Sequence, residues 1–249
     1  MDTITEVDVE QHKAARLHGM GGHRCVKLGT VFHDHTLIHL LFEKFLEWKR
    51  RQMVINGINF RNVKLPETNP TTYVRKTKPP PRTKTFSKNE FSHLMEHATD
   101  RLQDIIFFAI HNAIRPGDLQ HLKVKDWNCN KNQLEFTQAK TGKFQSLPIT
   151  RQMHKIIRRR AKEGKEFILD FTNFRFEWYN ARKRAKLLDR QFRDLRRTTI
   201  DEITKFSGDP LHGQRMAGHT SMRTTLEHYV IWQTVDLRKD VRHLSEKFS

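Results

Sequence analysis

A chain of 249 residues with a hydrophobic share of 36% has enough apolar material for a real core, in one large domain or two modest ones. Its 46 Lys and Arg exceed its 28 Asp and Glu by 18 charges, a surplus that solubility does not require and that draws in polyanions, nucleic acid ahead of an acidic membrane surface. The longest apolar run, Ile105 to Ile110, is far short of the roughly 20 residues that cross a bilayer, and no signal-peptide pattern opens the chain, so a soluble intracellular protein is expected.

The N-terminal stretch TITEVDVEQHKAARLHG reads as a short helix, followed by another near Val26 to Phe32. Leu37, Leu41, Phe45 and Trp48 then recur every three or four residues, the spacing of one apolar helix face, and the helix ends in the basic run Lys49, Arg50, Arg51. Residues 1–62 thus form a short helical domain whose thin core is expected to lean on DNA, a neighbour or the second domain. Residues 63–86 are basic and rich in Pro and Thr; the fixed φ and missing amides of Pro79, Pro80 and Pro81 predict an extended linker.

Residues 87–249 make the larger domain. Ser87 and Glu90 have the spacing of a capping box, with Phe91, Leu94, Met95 and Ala98 at helical intervals behind them. Leu102, Ile105, Ile106, Ala109 and Ala113 mark a second helix. Between Val124 and Ile149 the pattern shifts to short alternating runs punctuated by NCNKN and KTGK, which predicts a three-stranded antiparallel sheet. Helical spacing returns after Thr150, and Leu237, Val241, Leu244 and Phe248 predict a last amphipathic helix that packs on its own core or on a neighbouring subunit. The fold class is therefore mainly α with a small antiparallel β-sheet, α+β. Cys25 and Cys129 form no CxxC pair and read as reduced thiols. His35 with His39, and His93 with His97, lack a third ligand at a familiar spacing, so no metal is expected.

Five short stretches stand in one order: NAIRPGDLQHLKVKDW with Arg115 and Asp118, AKTGK with Lys140 at a hairpin tip, FRDLRRT with Arg193, Arg196 and Arg197, the pair Gly218-His219, and Tyr229. Together they resemble the tyrosine recombinase (phage integrase) family, whose catalytic domain carries an Arg in G-x-R-x-x-E-L, a Lys in a K-T-G hairpin, an H-x-L-R helix start, an L-G-H and a terminal nucleophilic Tyr. The likeness runs from about Ser87 to Val230. It implies the tyrosine recombinase catalytic fold behind a short or truncated core-binding domain. It further implies site-specific cleavage and rejoining of DNA through a 3′-phosphotyrosine, without metal or other cofactor. The implied partners are double-stranded DNA and further copies of the chain, assembled as a tetrameric synapse; the implied setting is a DNA-associated cytoplasmic protein encoded by a bacterium, phage or mobile element. A DNA-binding member with weakened catalysis and a type IB topoisomerase-like enzyme are the alternatives.

The chemistry accounts for these residue types. A tyrosine hydroxyl attacking a phosphodiester gathers negative charge on the nonbridging oxygens, so cations must be fixed there beforehand. Arginine offers a planar fork that stays charged at any working pH, and Arg115 and Arg196 are the expected clamp. Asp118 stands where the family has Glu and either orients Arg115 or serves as an ordinary acid at a helix start. By resemblance Lys140, with Lys143 as its rival, is the general acid, and Tyr229 is the nucleophile. His219 can donate an imidazole N–H to phosphate or shuttle a proton. Two features depart from the pattern. Arg193 occupies the usual His position and cannot act as a base, which leaves His219, His228 or water to take the tyrosine proton. The interval from His219 to Tyr229 is also about one residue longer than usual. Lys49, Arg50, Arg51, Arg75, Lys143, Arg182, Lys183 and Arg197 are the expected DNA-binding residues, each of which singly could be a solvated charge.

Overall fold

Thr5 opens helix α1 (Glu6–His18) with a capping box shared with Asp8, and Gly19 closes it at φ +70°, a left-handed conformation that glycine adopts without steric cost. The computed structural model describes residues 4–60 and 66–228, apart from the side chains at 224, 227 and 228. Tyr229 and the predicted C-terminal amphipathic helix lie outside the described residues. The chain divides into two units, 1–80 and 81–249.

In the first unit the two helices expected beyond α1 are one, α2 (Leu28–Ile55), 28 residues long. Its buried residues are Val31, His35 and Leu46, while Leu37 (59%), Leu41 (61%) and Trp48 (47%) are exposed. The apolar face read from the sequence is thus not the packed one. Segment 66–80 belongs to this unit and is only partly a free linker, because Asn69, Thr71 and Val74 are buried. Asn69 Nδ2 donates to Glu43 Oε1 at 2.8 Å and to the His39 carbonyl at 3.1 Å, and Lys13 Nζ donates to the Arg75 carbonyl at 2.9 Å. Arg16 pairs with Asp34 at 3.1 Å, joining α1 to α2.

The second unit begins in the Pro run, and Arg82 forms a two-point pair with the buried Asp194 at 2.7 and 2.5 Å. Ser87 and Glu90 form the predicted capping box of α3 (Lys88–Glu96). Thr99 caps α4 (Asp100–Asn112), whose Leu102, Ile105, Ile106, Phe108 and Ala109 are buried. After α5 (Pro116–Gln120) and a 3-10 turn at Val124–Asp126 come three antiparallel strands in sequential order, β1 (Trp127–Asn128), β2 (Gln133–Thr137) and β3 (Phe144–Pro148). Leu134 faces Leu147 and Phe136 faces Gln145 across β2 and β3. The predicted sheet is present, its first strand shortened to two residues because the 3-10 turn takes up Val124–Asp126.

Helices α6 (Arg151–Lys162), α7 (Phe174–Arg184), α8 (Phe192–Ser207), α9 (Pro210–Ala217) and α10 (Met222–His228) complete the described unit. One core joins Leu94, Leu102, Ile105, Leu134, Met153 and Leu195, drawn from α3, α4, β2, α6 and α8. Helix α8 is buried along most of its length, and Thr199 Oγ1 donates to the Ile110 carbonyl of α4 at 2.5 Å. That contact sets the middle of α8 beside the end of α4, close to where the site is built.

Candidate active site

Ala113 ends α4 in a left-handed conformation (φ +48°), and the chain turns so that Arg115 becomes the N-cap of α5 with Pro116 following. Arg115 Nη1 donates to Gln138 Oε1 at 2.6 Å, whereas Asp118 Oδ2 stands 3.9 Å away. The direct partner of Arg115 is therefore the glutamine. Asp118 Oδ1 instead accepts the Ala139 N–H at 2.9 Å, which fixes the start of the hairpin turn bearing Lys140. Both Lys140 and Lys143 are exposed on that turn, where Gly142 (φ +65°) closes it by donating to the Gln138 carbonyl at 2.9 Å.

Arg196 lies buried in the first turns of α8. Its Nη1 donates to the Ala113 carbonyl, and its Nη2 donates to the Ala217 carbonyl and to His219 Nε2, each at 2.9 Å. A guanidinium can only donate, so Nε2 of His219 is the unprotonated nitrogen. The ring proton then sits on Nδ1, which donates to Thr225 Oγ1 at 2.8 Å. His219 thus has its ring N–H on Thr225 and its acceptor nitrogen on Arg196.

The Gly218-His219 pair has a steric basis. Gly218 has φ +62°, and a Cβ there would run into Gln138 Nε2 and come within 2.7 Å of Gln145 Oε1. Gln145 Nε2 in turn donates to the Met216 carbonyl at 2.7 Å. Two buried glutamines thus press the β2–β3 hairpin against the turn that carries His219. Neither glutamine was singled out from the sequence, yet a signal was present. Leu134, Phe136 and Gln138, and likewise Gln145, Leu147 and Ile149, alternate as the buried residues of the hairpin, so each glutamine is a polar group in an inward register.

The phage integrase family model matches residues 84–234, the part of the chain that contains all of these residues. The chain belongs to the phage integrase family. It is 22% identical to a shufflon-specific DNA recombinase of Escherichia coli, over 99% of this chain and 64% of that protein, so it spans just under two thirds of its relative's length. Its fold is similar to that of lambda integrase (75–356), seen as a dimer bound to a COC′ core site, with a TM-score of 0.68 and 17% identity over 92% of this chain and 82% of that one. The Tn1549 transposon integrase in complex with circular intermediate DNA has a TM-score of 0.66 and 14% identity, covering 96% of this chain and 85% of that one.

In this integrase-family chain the remaining predicted residues fall into separate groups. Arg193 is exposed on the first turn of α8, next to buried Asp194. Arg50, Arg51, Arg75 and Lys183 are exposed, and Arg51 also pairs with Glu47 at 2.9 Å. Lys49 is half-buried and donates to the Pro66 carbonyl at 3.3 Å. Arg197 is buried. Arg182 is a structural tie: Nη1 donates to the carbonyls of Leu188 (3.0 Å) and Arg190 (2.5 Å), and the guanidinium lies 5.4 Å from the Trp178 ring centroid. Burial lowers its pKa from the usual arginine value. His228 is the last residue of α10, with its side chain not described, and Tyr229 follows outside the described residues. Among the described residues no group of three or more His, Cys, Asp and Glu could hold a metal, and no helix is long and apolar enough to cross a membrane.

Proposed function

We propose that this chain is a site-specific DNA recombinase that cuts and rejoins strands through a 3′-phosphotyrosine. The observation that carries the reading is the convergence of Arg115 and Arg196, from α5 and α8, on one hydrogen-bonded network with Gln138, the Ala217 carbonyl and His219. Such a pair of guanidinium groups suits the nonbridging oxygens of a phosphodiester, whose charge grows as a nucleophile adds.

In this mechanism the Tyr229 hydroxyl gives its proton to His219, His228 or water, and its oxygen bonds to phosphorus as the bond to the 5′-oxygen breaks. Lys140, on its exposed turn, gives its proton to the departing 5′-oxygen. Attack by a 5′-hydroxyl on the phosphotyrosine reverses these steps, restores the tyrosine and leaves a joined strand. No nucleotide hydrolysis is needed, because the phosphotyrosine conserves the phosphodiester bond energy. His219, with an acceptor nitrogen beside Arg196, holds that guanidinium in place. Exposed Arg50, Arg51, Arg75 and Lys183 contact the DNA backbone, and the working form is a tetramer on DNA.

The test is incubation with nicked duplex carrying the cognate site. A covalent protein–DNA adduct that disappears in Tyr229→Phe and falls steeply in Lys140→Met is expected. Tight binding with no adduct would make the chain a DNA-binding member of the family, and relaxation of supercoiled plasmid without site preference would point to a topoisomerase.

A further inference from the structure

We infer that Gln138 is a positioning residue that sets the spacing of Arg115 and Arg196 and seats the Lys140 turn, an inference that rests on the strand-transfer reading above. Gln138 follows β2 directly, two residues before Lys140, and is buried. Its Oε1 accepts from Arg115 Nη1 at 2.6 Å and from Thr141 Oγ1 at 2.7 Å, so one oxygen holds both an arginine and the turn. Its Nε2 donates to Gln145 Oε1 and, at 3.4 Å, to the Ala217 carbonyl. That same carbonyl accepts from Arg196 Nη2 at 2.9 Å. The two arginines are therefore linked through a single amide side chain and a single backbone carbonyl.

Two considerations make this more than packing. An inward strand register otherwise filled by Leu134 and Phe136 favours an apolar residue, and a buried amide is tolerable there only with its hydrogen bonds made. The amide is also neutral. A carboxylate in its place would hold Arg115 equally well but would cancel part of the charge that the phosphate needs, whereas an amide oxygen orients the guanidinium and leaves that charge intact. Gly218 fits the same account, since any Cβ there would displace the Gln138 amide.

The substitution Gln138→Glu separates positioning from packing. Beside Arg115 the new carboxyl is held ionised, so it keeps an oxygen for the guanidinium and puts a negative charge on the clamp. The substrate is a nicked duplex chosen from a random-sequence pool by binding to the wild-type chain. Gln138→Leu should keep its Kd for that duplex within about threefold while the single-turnover rate of adduct formation falls about 100-fold, the usual cost of misplacing reacting groups by about 1 Å. Gln138→Glu, which keeps the contact to Arg115 and adds a charge, should be at least about tenfold slower than wild type at pH 8. If Gln138→Leu does not fold, Gln138→Glu carries the test. A Gln138→Glu rate equal to wild type at pH 8 overturns the inference, as does a Gln138→Leu rate that falls only in step with Kd.

Inorganic sulfate, a dianion at pH 8, provides a readout without strand cleavage. Sulfate binding weakened by Gln138→Glu at pH 8 supports the positioning role even where the wild-type chain forms no adduct and the strand-transfer reading has failed. Equal sulfate affinity of wild type and Gln138→Glu at pH 8 overturns the role.

Discussion

Arg82→Ala should destabilise the second unit more than a change to the buried acid that Arg82 holds. Asp194 has a fully buried side chain (0% exposed), and its carboxylate accepts Arg82 Nε at 2.7 Å, Arg82 Nη2 at 2.5 Å and the Gln191 N–H at 2.8 Å. Truncating Arg82 leaves that buried charge with the Gln191 N–H, and breaking one side of a buried pair costs about 3–5 kcal/mol. The Arg82 side chain is 24% exposed, so water can enter the vacated space, and the lower end, about 3 kcal/mol, is the expected loss. For a unit of this size the melting temperature falls by about 6–12 °C. Asp194→Asn keeps an oxygen for the Gln191 amide and leaves a guanidinium that can reach solvent, so its expected cost is about 1–2 kcal/mol. Arg82→Met with Asp194→Leu removes both charges and should regain most of the loss. Thermal melting of the full chain gives the totals. Hydrogen exchange locates them, with α8 amides losing protection ahead of those in α6. Arg82→Ala melting within about 3 °C of wild type, or proving milder than Asp194→Asn, would refute the reasoning.

The first unit should weaken in acid through His35. Burial first, then the cations Lys76 and Lys13 and the neighbouring His39, push the His35 pKa down, with Glu10 opposing, and neither ring nitrogen has a hydrogen-bond partner among the described residues. The folded state therefore holds the neutral ring, and its stability is full above about pH 6.5 and declines below it as the unfolded chain takes up the proton first; chemical denaturation against pH should show this slope in wild type and lose it in His35→Phe. Gly218→Ala meets a left-handed backbone (φ +62°) and the Gln138 and Gln145 side chains, so a loss of about 1–3 kcal/mol is expected in denaturant titration. Arg50→Ala with Arg51→Ala should reduce the steepness of the logarithm of DNA affinity against the logarithm of salt by about 2, measured by fluorescence anisotropy on a fixed duplex.

The parts of this fold legible in the sequence are those set by neighbours in the chain. Ser87 and Glu90 announce α3 because a capping box spans only four residues, and KTGK marks the hairpin because Gly142 supplies the turn's positive φ. The buried face of α2 departs from the one its sequence spacing predicts for a physical reason: it carries apolar residues around much of its circumference, and α1 and 66–80, which pack on it, are distant in sequence from the residues they cover. Segment 66–80 looked like free linker because its ties to α2 run through Asn69 and Thr71, polar residues whose burial shows only once Glu43 and His39 are brought beside them. The site arginines were legible as residue types in order. Their partners were not, since Gln138 and the Ala217 carbonyl reach them across the fold, and the His219 tautomer follows from an arginine 23 residues away.

Those partners divide the arginines of this basic chain into two kinds. Arg82, Arg101, Arg159 and Arg190 each donate to a carboxylate, of Asp194, Glu177, Asp104 and Glu90 respectively. Such pairs join elements distant in sequence, and each cancels its own charge, so little field is left for an outside anion. Arg115 and Arg196 are oriented in another way, by the Gln138 amide oxygen, the carbonyls of Ala113 and Ala217, and the unprotonated nitrogen of His219. These neutral acceptors fix the plane of each guanidinium without adding negative charge of their own. Asp118 forms a looser ion pair with Arg115: its short hydrogen bond goes to the Ala139 amide, and its Oδ2 stands 3.9 Å from Arg115 Nη1. A surplus of +18 gives the whole chain a field that attracts polyanions. Within the described residues, the neutral acceptors of their short hydrogen bonds then separate the proposed phosphate clamp, Arg115 and Arg196, from arginines whose short bonds to carboxylates hold the fold together.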